Sequence, residues 1–240
     1  MLRLTFIYLL LIPILSNAQT CIIARKVDNQ IYIGADSRVM VITPNRTSSD
    51  TTYETMCKIN LHDNLNFAMA GFLVDSMLKY ANKSCLRNIP ADSVVYDFAK
   101  QFVFTLQSYI EHDRIKFPNF YKTYYHKDSV LCSVIFFGMN YNSAILYNVY
   151  FYPITSIEEK TQIQCKFNTY NAVAIGEVAE IYAKNLLFDS KTWEHGTIEG
   201  IKSLINYEHN FHSKEIGPPY YFLSCSKQGI SWIPADHFCK

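Results

Sequence analysis

Apolar and β-favouring residues in the first third of the chain come in short runs separated by polar turn residues. Residues 20–27 and 31–36 are two such runs around Asp28-Asn29, which predicts a hairpin. After a polar loop at 43–52, residues 56–61 and 65–70 repeat the pattern around His62-Asp63-Asn64, and Gly71 punctuates the strand end. The period then changes. Residues 75–81 predict a short helix and residues 91–114 a long one, with Val94, Val95, Phe98, Phe102, Leu106 and Ile110 at helical spacing. The aromatic and basic stretch 116–128, interrupted by Pro118, reads as a loop. Strands follow at 130–137, 143–152 and 161–175, then helices at 178–187 and 197–207. Residues 220–226 and 230–233 close the chain as a hairpin around Lys227-Gln228-Gly229.

Strand blocks that alternate with pairs of helices need a partner for both faces of each sheet. Two antiparallel sheets stacked on each other, with helices outside them, meet that need. The pattern therefore predicts an α+β fold, a four-layer α-β-β-α sandwich formed by a single domain over residues 19–240.

Residues 1–18 read as a signal peptide. Arg3 supplies the positive start, residues 4–15 form an apolar run, and Ser16-Asn17-Ala18 places small residues where signal peptidase reads. The run falls short of the roughly 20 residues that span a bilayer. Export to a secreted or periplasmic location is expected, with no membrane attachment after cleavage. A cut after Ala18 leaves Gln19 in front of Thr20; cuts after Gln19 or Thr20 would free Thr20 or Cys21.

Composition narrows the function classes. Of 240 residues, 49% are hydrophobic and the net charge is +1, so one large core is affordable and no basic run points to nucleic acid. Asn45-Arg46-Thr47 and Asn82-Lys83-Ser84 are glycosylation sequons. Seven cysteines leave at least one unpaired within a monomer. With Cys21 as that thiol, Cys57, Cys85, Cys132, Cys165, Cys225 and Cys239 allow up to three disulfides; the alternative is buried free thiols. No CxxC or HxxxH pair suggests a metal, and no cofactor motif is present. No Gly-x-Ser-x-Gly elbow or clear histidine partner supports a Ser/His/Asp hydrolase.

The chemistry concentrates near the leader. Thr20 and Cys21 lie at a potential new N-terminus, where a freed α-amine acts as base for its own residue's hydroxyl or thiol. Sixteen residues after Thr20, a strand runs into Ala35-Asp36-Ser37-Arg38; Lys58 follows in Cys57-Lys58-Ile59, and Ala68-Met69-Ala70-Gly71 ends a later strand. This order and spacing resembles the proteasome-type branch of the N-terminal-nucleophile (Ntn) hydrolases, proteasome β-subunits and their small bacterial relatives. The resemblance implies Thr20 as nucleophile, Lys58 held by Asp36 as its electrostatic support, and the Gly71 amide as oxyanion donor. It further implies cleavage of a peptide or amide substrate through an acyl-enzyme, by a threonine protease, and is compatible with a homo-oligomer.

Two positions depart from the family. A supporting serine after the Gly176 position is here Glu177, a candidate acceptor for the terminal ammonium. A late Asp-x-x-Ser falls around Ser213 to Ile216, where neither residue matches. These departures keep open a second reading, a catalytically inactive proteasome-like binding or assembly module. Between the two nucleophiles, spacing favours Thr20 and intrinsic reactivity favours Cys21, and strand alternation puts them on opposite faces.

Overall fold

The computed structural model describes residues 15–17, 20–42, 52–63, 65–72, 74–125, 129–154 and 162–234. Thirteen strands and five α-helices are present among them, and every strand pair is antiparallel. The fold is therefore mixed α/β with antiparallel sheets.

The first large sheet contains β2 (Cys21–Val27), β3 (Gln30–Asp36), β11 (Ala172–Gly176), β12 (Tyr220–Ser226) and β13 (Gly229–Trp232), in the order β11-β2-β3-β12-β13. The second contains β6 (Ile59–Asn60), β7 (Asn66–Gly71), β8 (Cys132–Asn140), β9 (Ser143–Pro153) and β10 (Ile163–Thr169), in the order β10-β9-β8-β7-β6. A small third sheet pairs β4 (Arg38–Ile42) with β1 (Leu15–Asn17) on one side and β5 (Thr52–Thr55) on the other.

Strand alternation sorts the apolar side chains. In β7, Ala68 and Ala70 join Ile22, Ala24, Ile33 and Ala35 of the first sheet in one buried cluster. Phe67 and Met69 face the other way, against α1 (Val74–Cys85) and α2 (Ala91–Lys116). In β2, Ile22 and Ala24 join the cluster common to both sheets, while Cys21 and Ile23 pack with Ile181 of α4 (Ala179–Ala183) and Ile201, Leu204 and Ile205 of α5 (Thr197–Phe211). β2 and β7 thus bury both of their faces, and a one-residue slip in either strand would exchange its two partners.

Local chemistry explains the boundaries. Asp28 and Asn29 turn β2 into β3 with φ of 47° and 61°, left-handed values that Asp and Asn tolerate better than other side chains. In α2, the six residues named from the sequence are all buried, and the helix runs two residues further than expected, to Lys116.

Several expectations need correction. The stretch 116–128 is not a plain loop: Pro118–Tyr124 is helix α3, with Pro118 in its first turn, where a missing N–H costs nothing. Tyr121 and Tyr125 are buried in the helix-side cluster, and Tyr125 donates to the buried Asp113 carboxylate at 2.7 Å. The strand expected over 161–175 is two strands in different sheets, β10 paired with β9 and β11 with β2. The chain changes sheets at Tyr170-Asn171, between two runs that alternate too similarly to be separated by pattern. The helix expected at 178–187 is regular only over Ala179–Ala183. The strand expected at 56–61 is reduced to Ile59–Asn60, and β4 and β5 flank the stretch read as loop.

Most of the segment 1–18, read from the sequence as a signal peptide, lies outside the described residues, apart from Leu15–Asn17 in β1. Three internal disulfides do not form. Cys85, Cys132 and Cys225 are buried free thiols, Cys165 is a half-buried one, and Cys57 is disulfide-bonded; Cys239 lies outside the described residues. Asn45 is also outside them. Asn82 sits in α1 and its side-chain oxygen lies 2.8 Å from His62 Nε2.

Candidate active site

Asp36, the last residue of β3, gathers the site. Its Oδ1 accepts from the Thr20 hydroxyl at 2.7 Å, the Cys21 N–H at 2.8 Å and the Lys58 ammonium at 3.0 Å. Its Oδ2 accepts from the Arg38 N–H at 3.0 Å and from the Gly217 N–H at 3.5 Å. Thr20, Asp36 and Lys58 are all buried. Such a density of donors satisfies a buried carboxylate and fixes its direction.

Lys58 arrives from the residue before β6. Its carbonyl accepts from Met69 N–H at 3.3 Å, which continues the β6–β7 pairing, and its ammonium also donates to the Arg38 carbonyl. Burial lowers its pKa, opposed by the Asp36 charge and hydrogen bond. An ammonium so placed gives up a proton more readily than an exposed lysine, while the carboxylate beside it keeps it oriented.

Thr20 is held from the other side by main chain. The Glu177 N–H donates to the Thr20 carbonyl at 2.6 Å. Gly176, with φ of 96°, lies so close that a Cβ there would collide with that carbonyl oxygen. It is the Glu177 backbone amide that makes this contact with Thr20.

Cys21 occupies a different environment from its neighbour. Its side chain is buried among Ile23, Ala174, Ile181 and Ile201. Burial raises its thiol pKa well above the usual value; the charges of Asp36 and Glu208 add to this, and Lys58 opposes it. A neutral thiol in an apolar cluster is a poor nucleophile.

Gly71 ends β7 with φ of 109° and pairs with Cys132 of β8. A Cβ at Gly71 would collide with the Leu131 carbonyl. Among the described residues no hydrogen bond joins Gly71 to Thr20, Asp36 or Lys58; β7 reaches the cluster through Met69 and the Lys58 carbonyl. Three of the five residues singled out from the sequence, Thr20, Asp36 and Lys58, thus meet side chain to side chain. Cys21 contributes its backbone N–H, and Gly71 stands at the end of the adjoining strand.

Sequence reasoning missed the main-chain donors of Glu177 and Gly217 and the guanidinium of Arg38, which donates to the Ser213 carbonyl at 2.6 Å and the Lys214 carbonyl at 3.1 Å. Gly176 and Gly217 were the available signals, since glycine permits close backbone approach. A surface cavity of about 600 Å³ lined by Asp92, Tyr96, Asp97, Tyr147 and Phe167 shares no residue with this cluster. Among the described residues no group of three or more potential metal ligands occurs, and no helix is long and apolar enough to cross a membrane.

A comparison with solved structures finds Anbu (ancestral beta-subunit) from Yersinia bercovieri, with a TM-score of 0.55 over 91% of this chain and 89% of that one, at 16% identity. The fold is proteasome-like. At that identity the likeness concerns the fold alone. No protein-family profile and no curated protein matches the chain.

Proposed function

We propose that the chain is an exported N-terminal-nucleophile hydrolase of proteasome type, secreted or periplasmic, built as an α-β-β-α sandwich. It acts on a peptide or amide bond as a threonine-type peptidase or amidohydrolase. The observation that carries this reading is the sharing of one buried carboxylate oxygen, Asp36 Oδ1, by the Thr20 hydroxyl and the Lys58 ammonium. That arrangement puts a cation beside the oxygen that must become nucleophilic, which lowers the cost of its negative charge. The environment of Cys21 supports Thr20 over Cys21 in this role.

In the proposed reaction the leader is removed to leave Thr20 first, so that its nitrogen becomes an amine. The Thr20 oxygen attacks the substrate carbonyl carbon while its proton passes to that amine. The tetrahedral oxyanion takes the Gly71 N–H, the C–N bond breaks, and the leaving amine receives the proton. Water then hydrolyses the resulting ester and restores the hydroxyl. A homo-oligomer belongs to the same proposal.

A second reading, a binding or assembly module without turnover, draws on the complete burial of the Thr20 side chain and on the unmatched residues at Glu177 and Ser213 to Ile216. One experiment separates the two. The exported protein is sequenced from its N-terminus and incubated with a β-lactone, and the adduct is mapped. Hydrolase chemistry requires Thr20 as first residue and an adduct on it. A persistent Gln19, or no adduct at Thr20, favours the binding module.

A further inference from the structure

We infer that Arg38 is the positioning residue of this site, and that its guanidinium places a main-chain donor on Asp36 where the resemblance expects the side chains of an Asp-x-x-Ser. The inference rests on the hydrolase reading above for its effect on turnover, though not for its geometry.

Arg38 opens β4, two residues beyond Asp36, and works in two directions. Its backbone N–H donates to Asp36 Oδ2 at 3.0 Å and its carbonyl accepts from Lys58, so its main chain belongs to the cluster. Its side chain turns to the connection between α5 and β12, where Nη1 donates to two successive carbonyls, Ser213 at 2.6 Å and Lys214 at 3.1 Å. A guanidinium only donates, and the two N–H bonds of Nη1 serve the two carbonyls at once, at a reach that the long arginine side chain supplies.

The same connection returns a donor to the carboxylate. Three residues past Lys214, the buried Gly217 N–H points at Asp36 Oδ2 at 3.5 Å. Gly217 also lies against the guanidinium, so that a Cβ there would collide with it. Other contacts fix the connection from the helix side: Ile216 is buried in the cluster with α5, its carbonyl lies 2.6 Å from His209 Nδ1, and its N–H donates to the His212 carbonyl at 2.8 Å. These hold the connection to α5 but make no contact with β4. Beyond the connection β12 is laddered to β3, with Tyr220 opposite Asp36; Arg38 is what ties residues 213 and 214 themselves across to β4. A side chain at 217 would therefore displace the guanidinium.

The test uses the full-length chain, expressed with its leader, and two independent readouts. Hydrogen exchange measured by mass spectrometry reports residues 213–217, and the rate of β-lactone adduct formation reports Thr20. Losing hydrogen bonds from a charged donor corresponds to roughly a tenfold to hundredfold change. Arg38→Ala is expected to speed exchange over 213–217, and to slow adduct formation, by about that factor. Added guanidinium ion at low millimolar concentration should restore part of both. Arg38→Lys, which keeps the charge and shortens the reach to the two carbonyls, should resemble Arg38→Ala; if Arg38→Ala does not fold, it carries the comparison alone. Exchange over 213–217 unchanged in these variants, or adduct formation as fast as in the parent, overturns the inference. A parent chain that forms no adduct at Thr20 overturns the hydrolase reading instead, and exchange then decides the role of Arg38 by itself.

Discussion

Lys58→Met is the most direct test of the buried centre. The substitution keeps an unbranched side chain of similar length and removes the ammonium. In the native chain Lys58 and Asp36 are a contact ion pair with neither side chain exposed, and the ammonium also serves the Arg38 carbonyl. Breaking a buried pair by removing one partner costs about 3–5 kcal/mol, because the remaining charge stays desolvated. Four neutral donors still reach Asp36, from Thr20, Cys21, Arg38 and Gly217, which places the expectation at the lower end of that range. For a chain of this size 1 kcal/mol moves the midpoint by about 2–4 °C, so a loss of roughly 6–12 °C is expected. Urea unfolding followed by circular dichroism gives the same quantity through its midpoint, provided the slope is unchanged. The double variant Lys58→Met/Asp36→Asn removes the stranded charge and should be less destabilised than the sum of its singles by about 0.5–3 kcal/mol. A Lys58→Met cost below about 1 kcal/mol, or strict additivity in the double variant, would refute the reasoning that this pair is desolvated and coupled.

Further predictions rest on other parts of the molecule. Gly176→Ala forces a side chain onto the Thr20 carbonyl at φ of 96°; it should cost at least ~2 kcal/mol in thermal unfolding and abolish adduct formation at Thr20, and a protein of parental stability would contradict that contact. Asn29 joins two hairpins, since its Oδ1 accepts from the Ala144 N–H at 2.6 Å and its Nδ2 donates to the Asn142 carbonyl. Asn29→Gly keeps the left-handed turn and loses both bonds, so a drop of about 1–3 kcal/mol is expected; an unchanged midpoint would show the clamp to be without effect. Burial pushes the Cys85 thiol up to about 12, which leaves ~1 in 10,000 molecules as thiolate at pH 8. Iodoacetamide on the native protein should therefore modify half-buried Cys165 well before Cys85, and equal rates would argue against that burial. The same shift has a sign in stability. The folded state keeps a proton that the unfolded state loses above about pH 8.5, so stability falls as pH rises from there towards 12, and Cys85→Ala should show a shallower alkaline decline.

How far the sequence could be read differs from element to element. The long helix was legible because a stripe of Val94, Phe98, Phe102, Leu106 and Ile110 has only one regular solution, and all five are buried. The β2–β3 hairpin was legible for the same reason, with Asp28-Asn29 supplying the turn. Helix α3 was obscured by Pro118, which stops a helix when it stands inside and starts one when it stands first. The break between β10 and β11 was obscured because period-2 alternation records which face a residue takes and not which sheet it joins.

By itself the sequence determined which residues must be buried and which chemistry gathers in the first third of the chain. Thr20, Asp36 and Lys58 were singled out by their resemblance to the proteasome-type pattern, and the structure brings the Thr20 hydroxyl and the Lys58 ammonium onto one oxygen of Asp36. Tertiary structure alone decided which main-chain groups hold Asp36 and Thr20 in place. Backbone N–H groups of Cys21, Glu177 and Gly217 have no signature, because every residue but proline carries one. Their direction is set by the strands and turns that place them. The thiol pKa of Cys21 and the guanidinium contacts of Arg38 depend likewise on neighbours more than 100 residues away in the chain, Ile181 and Ile201 for one and Ser213 and Lys214 for the other. Local pattern specifies the elements; distances and desolvation exist only once those elements have packed.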